Sequence, residues 1–488
     1  MKAGDIITLL PFIALTLSAV IVMVAGTFHT SHRLTVGLTL GGLAWTGAML
    51  AVTASRSGRQ VTDLLLLDDY TLFFIGLLVL TTAGVVLISY GYLEAREEHP
   101  HDYYTLLLLA TLGGVALVAS THFASFFLGL EVLSVSLYTL IAYPRSRASF
   151  IEAAVKYLIL AAATAAFLLF GMALVYAELG TMSLSTLATL HVAGGGAAAT
   201  SLLISGFALI IVGIGFKLGV VPFHMWTPDI YQGAPAPVTA FVATVSKGAM
   251  VALLLRYYRQ IGVIPHDTVW IIFAAIAAAS MIAGNLLALL QSNVKRLLAY
   301  SSIAHLGYVL VALLAIGRTA AVAVVFYLVA YFVTTLGAFG VVAELSGAGD
   351  GEAEELDDYR GLATRRPFLA ATFAISLFSL AGIPLTAGFL GKFYVIDAGA
   401  GSRLWWLLIV LVASSTIGLY YYTRVVVAMY VRQPVELPEG SPAATLAAPT
   451  ARSTIAAVLA AVTALVFVLG IYPSPLIRLL EHVVAGLP

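Results

Sequence analysis

The chain has 488 residues, of which 61% are hydrophobic and 10% charged, with a mean hydropathy of +1.01. That composition lies far outside the soluble range and describes a polytopic membrane protein. A formal net charge of +0 offers no basic face to nucleic acid, and the lack of cysteine excludes disulfides, thiol nucleophiles and thiolate-held iron–sulfur clusters.

A membrane-spanning helix needs about 20 apolar residues. On that criterion fourteen segments qualify: 6–24, 34–52, 70–88, 104–120, 123–143, 150–176, 202–221, 236–258, 269–290, 294–316, 320–345, 367–398, 404–430 and 453–480. The first is long enough to remain as a span, so no cleaved signal peptide is expected. Most connections are short. The connection 179–200 contains Gly194-Gly195-Gly196 and reads as a flexible loop. The connection 347–366 carries Asp350, Glu352, Glu354, Glu355, Asp357 and Asp358, then Arg360, Arg365 and Arg366, and reads as a solvated loop. His99 and His101, beside Pro100, read as exposed loop residues.

Fourteen spans put both termini on one side. Loops on that side hold about eight Lys/Arg, including Arg56, Arg59, Arg256 and Arg259; the other side holds about eleven, including Arg145, Arg147, Lys295, Arg296, Arg365 and Arg366. The bias predicts termini on the outer side of the membrane and the 360–366 loop in the cytoplasm.

The stretch 214–247, IGFKLGVVPFHMWTPDIYQGAPAPVTAFVATVSK, organises the rest. Lys217 and Lys247 sit inside hydrocarbon-length segments, and Pro222, Pro228, Pro235 and Pro237 interrupt the backbone between them. Proline removes a backbone donor. In a membrane such a break survives only where protein or water satisfies the freed groups, and a broken helix beside a buried cation is the pattern of an ion path. A second segment repeats it less closely, with Lys392 after Gly382-Ile383-Pro384 rather than before the break. Paired broken helices point to inverted repeats.

Glu131, mid-span in FFLGLEVLSVSLY, calls for a cation, and Lys217 is the natural partner. Burial can lower a lysine pKa by about 3–5 units, which is about 4–7 kcal/mol. Moving one charge through 100 mV costs about 2.3 kcal/mol. Making and breaking one such pair therefore matches, in size, the gating of one proton against the membrane potential. Lys247 has small apolar neighbours and no carboxylate near it in sequence, which reads as a lysine exchanging its proton with water; its mid-span position argues against snorkelling. His224 follows Lys217 by seven residues and would share its helix face if the helix continued past Pro222. It reads equally as a relay or as a support for the broken backbone. His305 lies in a polar stripe with Ser301, Ser302 and Tyr308, where relay is preferred. Lys295 is an open candidate, Arg296 reads as an interface anchor, Lys156 is an outlying candidate, and Lys392 is a last relay group or an exit. There is no dinucleotide fingerprint, no P-loop and no His/carboxylate metal set, so energy must come from a partner or an ion gradient.

The segment FKLGVVPFHMWTPDIYQGAPAPVTAFVATVSK, with HFASFFLGLEVLSVSLY, NVKRLLAYSSIAHLGY and LFSLAGIPLTAGFLGKFYV, closely resembles the antiporter-like membrane subunits of the bacterial proton-pumping NADH–quinone oxidoreductase (complex I). WTPDIYQGAPAPV favours the N type over the L and M types. The resemblance runs from about Tyr103 to Tyr430. It implies an all-α fold of about fourteen transmembrane helices with two inverted five-helix repeats. The implied division is helices 1–3 over 1–102, a first repeat over 103–260, a second over 261–432, and a terminal loop and helix over 433–488. It implies a proton path through Glu131, Lys217, Lys247 and Lys392, with no departure at these positions. It also implies NAD, FMN, iron–sulfur clusters and quinone in partner subunits and none in this chain, with other antiporter-like and small membrane subunits as partners in the inner membrane. Relatives accept electrons from ferredoxin or a deazaflavin. The rival readings are a cation/proton antiporter subunit, a membrane-bound hydrogenase subunit, and a purely structural packing subunit, against which the row of buried lysines argues.

Overall fold

The computed structural model describes residues 3–28, 31–54, 58–94, 96, 100–144, 147–187, 201–261, 268–346, 351–431 and 453–487. Arg56, His99, Arg145, Gly194-Gly195-Gly196 and Asp350 lie outside the described residues.

Thirteen helices are long and apolar enough to cross a membrane, and a shorter apolar helix adds half of a further, broken span. In chain order these and their companions are α1 (Leu10–Phe28), α2 (His32–Ala54), the hairpin strands β1 (Arg59–Thr62) and β2 (Leu65–Leu67), α3 (Asp69–Glu94), α4 (His101–Ala119), α5 (Phe123–Ala142), α6 (Ala148–Leu179) and α7 (Ser201–Leu218). Then come the half-helix α8 (Trp226–Gly233), α9 (Ala236–Gln260), α10 (Thr268–Leu289), α11 (Val294–Leu314) and α12 (Arg318–Ser346). The second broken span is α13 (Pro367–Ala381) plus α14 (Ala387–Gly401), followed by α15 (Trp405–Tyr430), α16 (Ser453–Ile471) and α17 (Ser474–Val483). The fourteen expected spans are all present. Several differ in extent; the first is shifted to 10–28 and the third runs on to Glu94. The seventh ends at Leu218, where Gly219 takes a left-handed φ of 71°, and the last stops at Ile471, because Pro473 and Pro475 start the separate short helix α17.

The centre of the bundle is α9, α11 and α12, whose spans are almost wholly buried, whereas α1, α2, α6 and α16 keep broad apolar outer faces. α3 packs against α12, and Asp68, just before α3, caps that helix through Thr71 N and pairs bidentately with Arg256 of α9 at 2.8 and 3.0 Å. Arg256 is 0% exposed, so it is no loop charge, as the orientation count assumed, but an internal clamp. Burial alone would raise the Asp68 carboxyl; the Arg256 guanidinium and the Thr71 donors outweigh it and hold it below the usual carboxylate range.

The duplication hinted at by the broken helices extends to atomic contacts. α4 and α5 cross where an added Cβ on Gly113 would lie 2.5 Å from Leu133 N and 2.8 Å from Gly129 O; α10 and α11 cross where one on Gly284 would lie 2.7 Å from Ala304 N and 2.8 Å from Tyr300 O. Each residue of the first contact lies 171 positions before its counterpart. The N-caps obey the same register, His122 for α5 and Asn293 for α11. So does a backbone clamp in which the segment after the third helix of each repeat pairs with the turn between its first two. Phe123 N donates to Met182 O and Leu184 N to Thr121 O, both at 3.0 Å; Val294 N donates to Glu354 O at 2.6 Å and Leu356 N to Ser292 O at 2.9 Å. Helix pairing is parallel too: α4 with α9 and α10 with α15, α5 with α6 and α11 with α12. Five spans per repeat is an odd number, so the second repeat enters the membrane from the opposite side.

Candidate functional site

Lys217 is the penultimate residue of α7, and its side chain is buried in the bundle. Its Nζ donates to Ser134 Oγ of α5 at 3.0 Å and to Tyr157 OH of α6 at 3.1 Å. The freed end of α7 is tied by Trp226, whose Nε1 donates to Phe216 O at 2.8 Å, and the rings of Tyr157, Phe216 and Trp226 pack on one another. Glu131 stands three residues before Ser134 on the same face of α5, half-buried, with exposed Leu128, Val132 and Val135 around it. No Glu131–Lys217 ion pair closes to 4.0 Å among the described residues; the ammonium rests on two neutral hydroxyls instead. The pair expected from sequence is thus found open.

Lys247 begins the regular part of α9 immediately after a π-helical turn, Val242–Ser246. It is 1% exposed and donates to Ser302 Oγ of α11 at 2.8 Å, with the rings of Tyr231 and Trp226 at 5.3 and 5.9 Å from Nζ. Ser302 Oγ also accepts from Tyr331 OH at 2.8 Å and lies 3.4 Å from Tyr231 OH. No carboxylate lies within 4.0 Å of Lys247 among the described residues; its neutral partners arrive from α11 and α8.

His305 lies one turn beyond Ser302. Its Nδ1 is 2.6 Å from Tyr327 OH and its Nε2 3.2 Å from Tyr422 OH, and Tyr422 in turn bonds Ser301. Asn285 of α10 joins Tyr308 OH at 3.0 Å and Tyr421 OH at 3.1 Å. Two cavities of about 10 Å³, each close to the size of one water, flank Tyr331, one beside His305, Tyr327, Thr334 and Ser379, the other beside Ser301 and Thr335. Lys392 of α14 donates to Leu380 O at 2.9 Å, Ala381 O at 2.8 Å and Ser415 Oγ of α15 at 2.8 Å, with the Tyr308 ring 5.2 Å away. The two carbonyls end α13, where the helix dipole is negative and orphan acceptors need a donor. An open cavity of about 360 Å³, lined by Gly382, Pro384, Phe393, Leu411 and Ser415, lies against Lys392.

The other candidates fall elsewhere. α7 does not continue past Pro222, so His224 shares no helix face with Lys217; its Nδ1 is buried with no hydrogen-bond partner among the described residues. Lys156 is exposed and pairs with Glu152 at 2.7 Å and Asp229 at 3.8 Å. Arg296 joins the same group through Asp229 at 2.7 Å. Lys295 is fully buried, donating to Ala234 O at 2.6 Å and Glu352 at 3.2 Å. The 347–366 connection is therefore not simply solvated. Glu352 is buried in an ion pair, and Glu354 binds Arg147 at 3.1 Å. His101 is buried rather than exposed, its Nδ1 3.2 Å from Thr35 Oγ1. Sequence reasoning missed Ser134, Tyr157, Tyr231, Asn285, Tyr331, Ser415 and Tyr422. Single hydroxyls and amides do not interrupt an apolar window, and only a register between the repeats would have exposed them.

Residues 120–418 match the family described as NADH:quinone oxidoreductase/Mrp antiporter, transmembrane. The chain belongs to that family. It is similar to a chain of respiratory complex I from Thermus thermophilus, at 31% identity over 96% of this chain and 98% of that one, with a TM-score of 0.78. It shares the fold of a chain of the archaeal membrane-bound sulfane sulfur reductase, at 24% identity over 98% and 97% with a TM-score of 0.84. It also shares the fold of a chain of the Mrp complex from Dietzia sp. DQ12-45-1b, at 21% over 100% and 98% with a TM-score of 0.85. As a member of the family, this is an antiporter-like membrane subunit.

Proposed function

We propose that this chain is a proton-translocating subunit of a redox-driven NADH:quinone oxidoreductase, of the N type, without redox chemistry of its own. The observation that carries the reading is the row of three buried ammonium groups, Lys217, Lys247 and Lys392, each held on hydroxyl or carbonyl acceptors beside a helix break. Lys217 and Lys247, which meet only side chains, have no structural reason to be lysine, since apolar residues would fill the same space at lower cost; Lys392 in addition satisfies the carbonyls that end α13. Between Lys247 and Lys392 the path runs through Ser302, Tyr331, His305 and Tyr308, with the two water-sized cavities filling its gaps. Glu131 supplies the carboxylate that Lys217 leaves and meets in turn. On this reading NAD, FMN, iron–sulfur clusters and quinone reside in partner subunits, the termini face the outer side of the inner membrane, and His224, Lys156 and Lys295 are peripheral. The test is Lys247→Arg, which keeps the charge but cannot release its proton in turnover. Lys247→Arg and Lys247→Ala should both assemble and both pump poorly in proteoliposomes, normalised to assembled enzyme. Near-normal pumping by Lys247→Arg would overturn the carrier role.

The second reading is a subunit of a cation/proton antiporter, favoured by the shared fold of the Mrp chain. Purification from native membranes decides between them: co-purifying flavin and iron–sulfur subunits support the first, antiporter subunits alone the second.

A further inference from the structure

The buried ion pair outside the lysine row has a location that its strap does not require. Glu352 and Lys295 are both 0% exposed at the side chain. Tyr92 OH donates to Glu352, Arg96 lies 3.8 Å from it, and Arg96 also binds Ser346 O and, at 3.2 Å, Gly351 O. These groups fasten the strap between α12 and α13. Yet the equivalent strap of the first repeat is held by the same two backbone hydrogen bonds with no charge at all. In the 171–172 register the counterpart of Lys295 is Ala124 and that of Glu352 is Gly180. Backbone pairing alone therefore suffices to hold a strap.

What the Lys295–Glu352 pair adds is contact with a helix break. Lys295 Nζ donates to Ala234 O, and Ala234 closes α8 through its own N–H to Ile230 O at 2.8 Å. Seven residues further along α11, two turns away on the same face, Ser302 receives Lys247. One face of α11 thus grips α8 at its end through Lys295 and meets its Tyr231 through Ser302. We propose that the Lys295–Glu352 pair is a positioning device for Lys247: it fixes the end of half-helix α8 and so keeps Tyr231 and Trp226 against the Lys247 ammonium. Glu352 supplies the countercharge that lets a cation, with its stronger hydrogen bond, hold that carbonyl inside the bundle. The inference rests on Lys247 as a proton carrier.

The test uses the whole complex in proteoliposomes, with proton uptake per assembled enzyme followed from neutral to alkaline pH. The titratable and charged groups facing the pair are Tyr92 of α3, Arg96 just beyond that helix and Tyr359 of the strap; those facing Lys247 are Tyr231 and, through Ser302, Tyr331. Glu352→Gln should lower uptake about tenfold, the scale of a displaced positioning group, and shift the pH profile, with Glu352→Asp recovering part of both. A purely structural pair would reduce the amount of assembled complex and leave the profile in place. Assembled Glu352→Gln with wild-type uptake and profile would overturn the proposal. Should Glu352→Gln fail to assemble, the Lys295→Gln/Glu352→Gln double variant removes the lone Lys295 charge and leaves Arg96 on the carbonyls of Ser346 and Gly351. It should assemble with lowered uptake and a shifted profile, and wild-type behaviour there overturns the proposal equally. Lys247→Ala run alongside separates the two ideas. Normal uptake in it sinks the carrier reading, whereas loss in it with a normal Glu352→Gln sinks only the positioning role.

Discussion

In the first repeat the lysine of the broken span comes before the break and rests on side chains alone, Ser134 and Tyr157; in the second it comes after the break and rests chiefly on main chain, the last two carbonyls of α13, with the Ser415 hydroxyl as a third acceptor. The scaffold around them is nevertheless shared to the residue. In the 171 register Glu131 corresponds to Ser302, and Ser134 to His305. The serine that accepts Lys247 thus stands where the first repeat has its carboxylate, and the serine that accepts Lys217 stands where the second has its histidine. The duplicated frame carries a titratable group at each of these positions in one half only. Divergence has placed unlike groups in like seats, so that a cation in one half finds a neutral acceptor where a second charge would repel or trap it.

The largest expected difference between the halves is in stability. Lys392→Met leaves Leu380 O without its donor inside the bundle, at about 1–3 kcal/mol for a buried acceptor, and leaves Ala381 O with only the Ser415 hydroxyl at 3.5 Å. Lys217→Met leaves two hydroxyls that can rotate to other partners. Thermal unfolding of the purified complex should show Lys392→Met clearly less stable than Lys217→Met; equal melting would mean that main-chain and side-chain seats are equivalent. Next comes the shared frame. Gly113→Ala and Gly284→Ala each press a Cβ into backbone at under 3.0 Å, and each should cost about 1–3 kcal/mol, by the same amount in both halves. A large cost in one and none in the other would break the register. The smallest effect is acid sensitivity. The Asp68 carboxyl is held below its unfolded value, so its contribution is complete above the unfolded pKa of about 3.9 and is lost as pH falls through the folded one. In the second repeat Arg424 binds, among the described residues, carbonyls alone: Leu289 O at 3.1 Å and Gln291 O. Hydrogen exchange at low pH should therefore loosen α9 before α15, and Asp68→Asn should remove the pH dependence of that difference. Equal acid loosening of both helices in the native protein would refute it.

The spans were legible because hydrocarbon length is a coarse, one-dimensional signal, and the breaks because proline and glycine announce them. Lys217, Lys247 and Lys392 stood out as charges in apolar windows, and all three are buried in the bundle. Glu352 did not, since a carboxylate within an acidic run looks solvated whatever one member of the run does. The end of the last span was set too far along, because Leu476, Ile477 and Leu480 continue the apolar count past Pro473 while belonging to the short amphipathic helix α17. Lys247's partners were illegible for a different reason: Ser302 and Tyr331 are 55 and 84 positions away, and only the fold brings them near.

The π-helical turn at Val242–Ser246 is in effect one residue more than an α-helix of that length would hold. Each residue of an α-helix turns the chain by about 100°, so the two ends of α9 are wound out of phase by roughly that angle. The end carrying Ala236 to Phe241 packs on α12, and Lys247, beyond the turn, donates to Ser302 of α11. Excising a single residue from the turn would leave composition, length and hydropathy almost untouched and swing the ammonium a quarter-turn or more around the helix axis, away from its serine. The direction in which this lysine points is therefore written as a count of residues, a quantity to which substitution is blind and deletion is not.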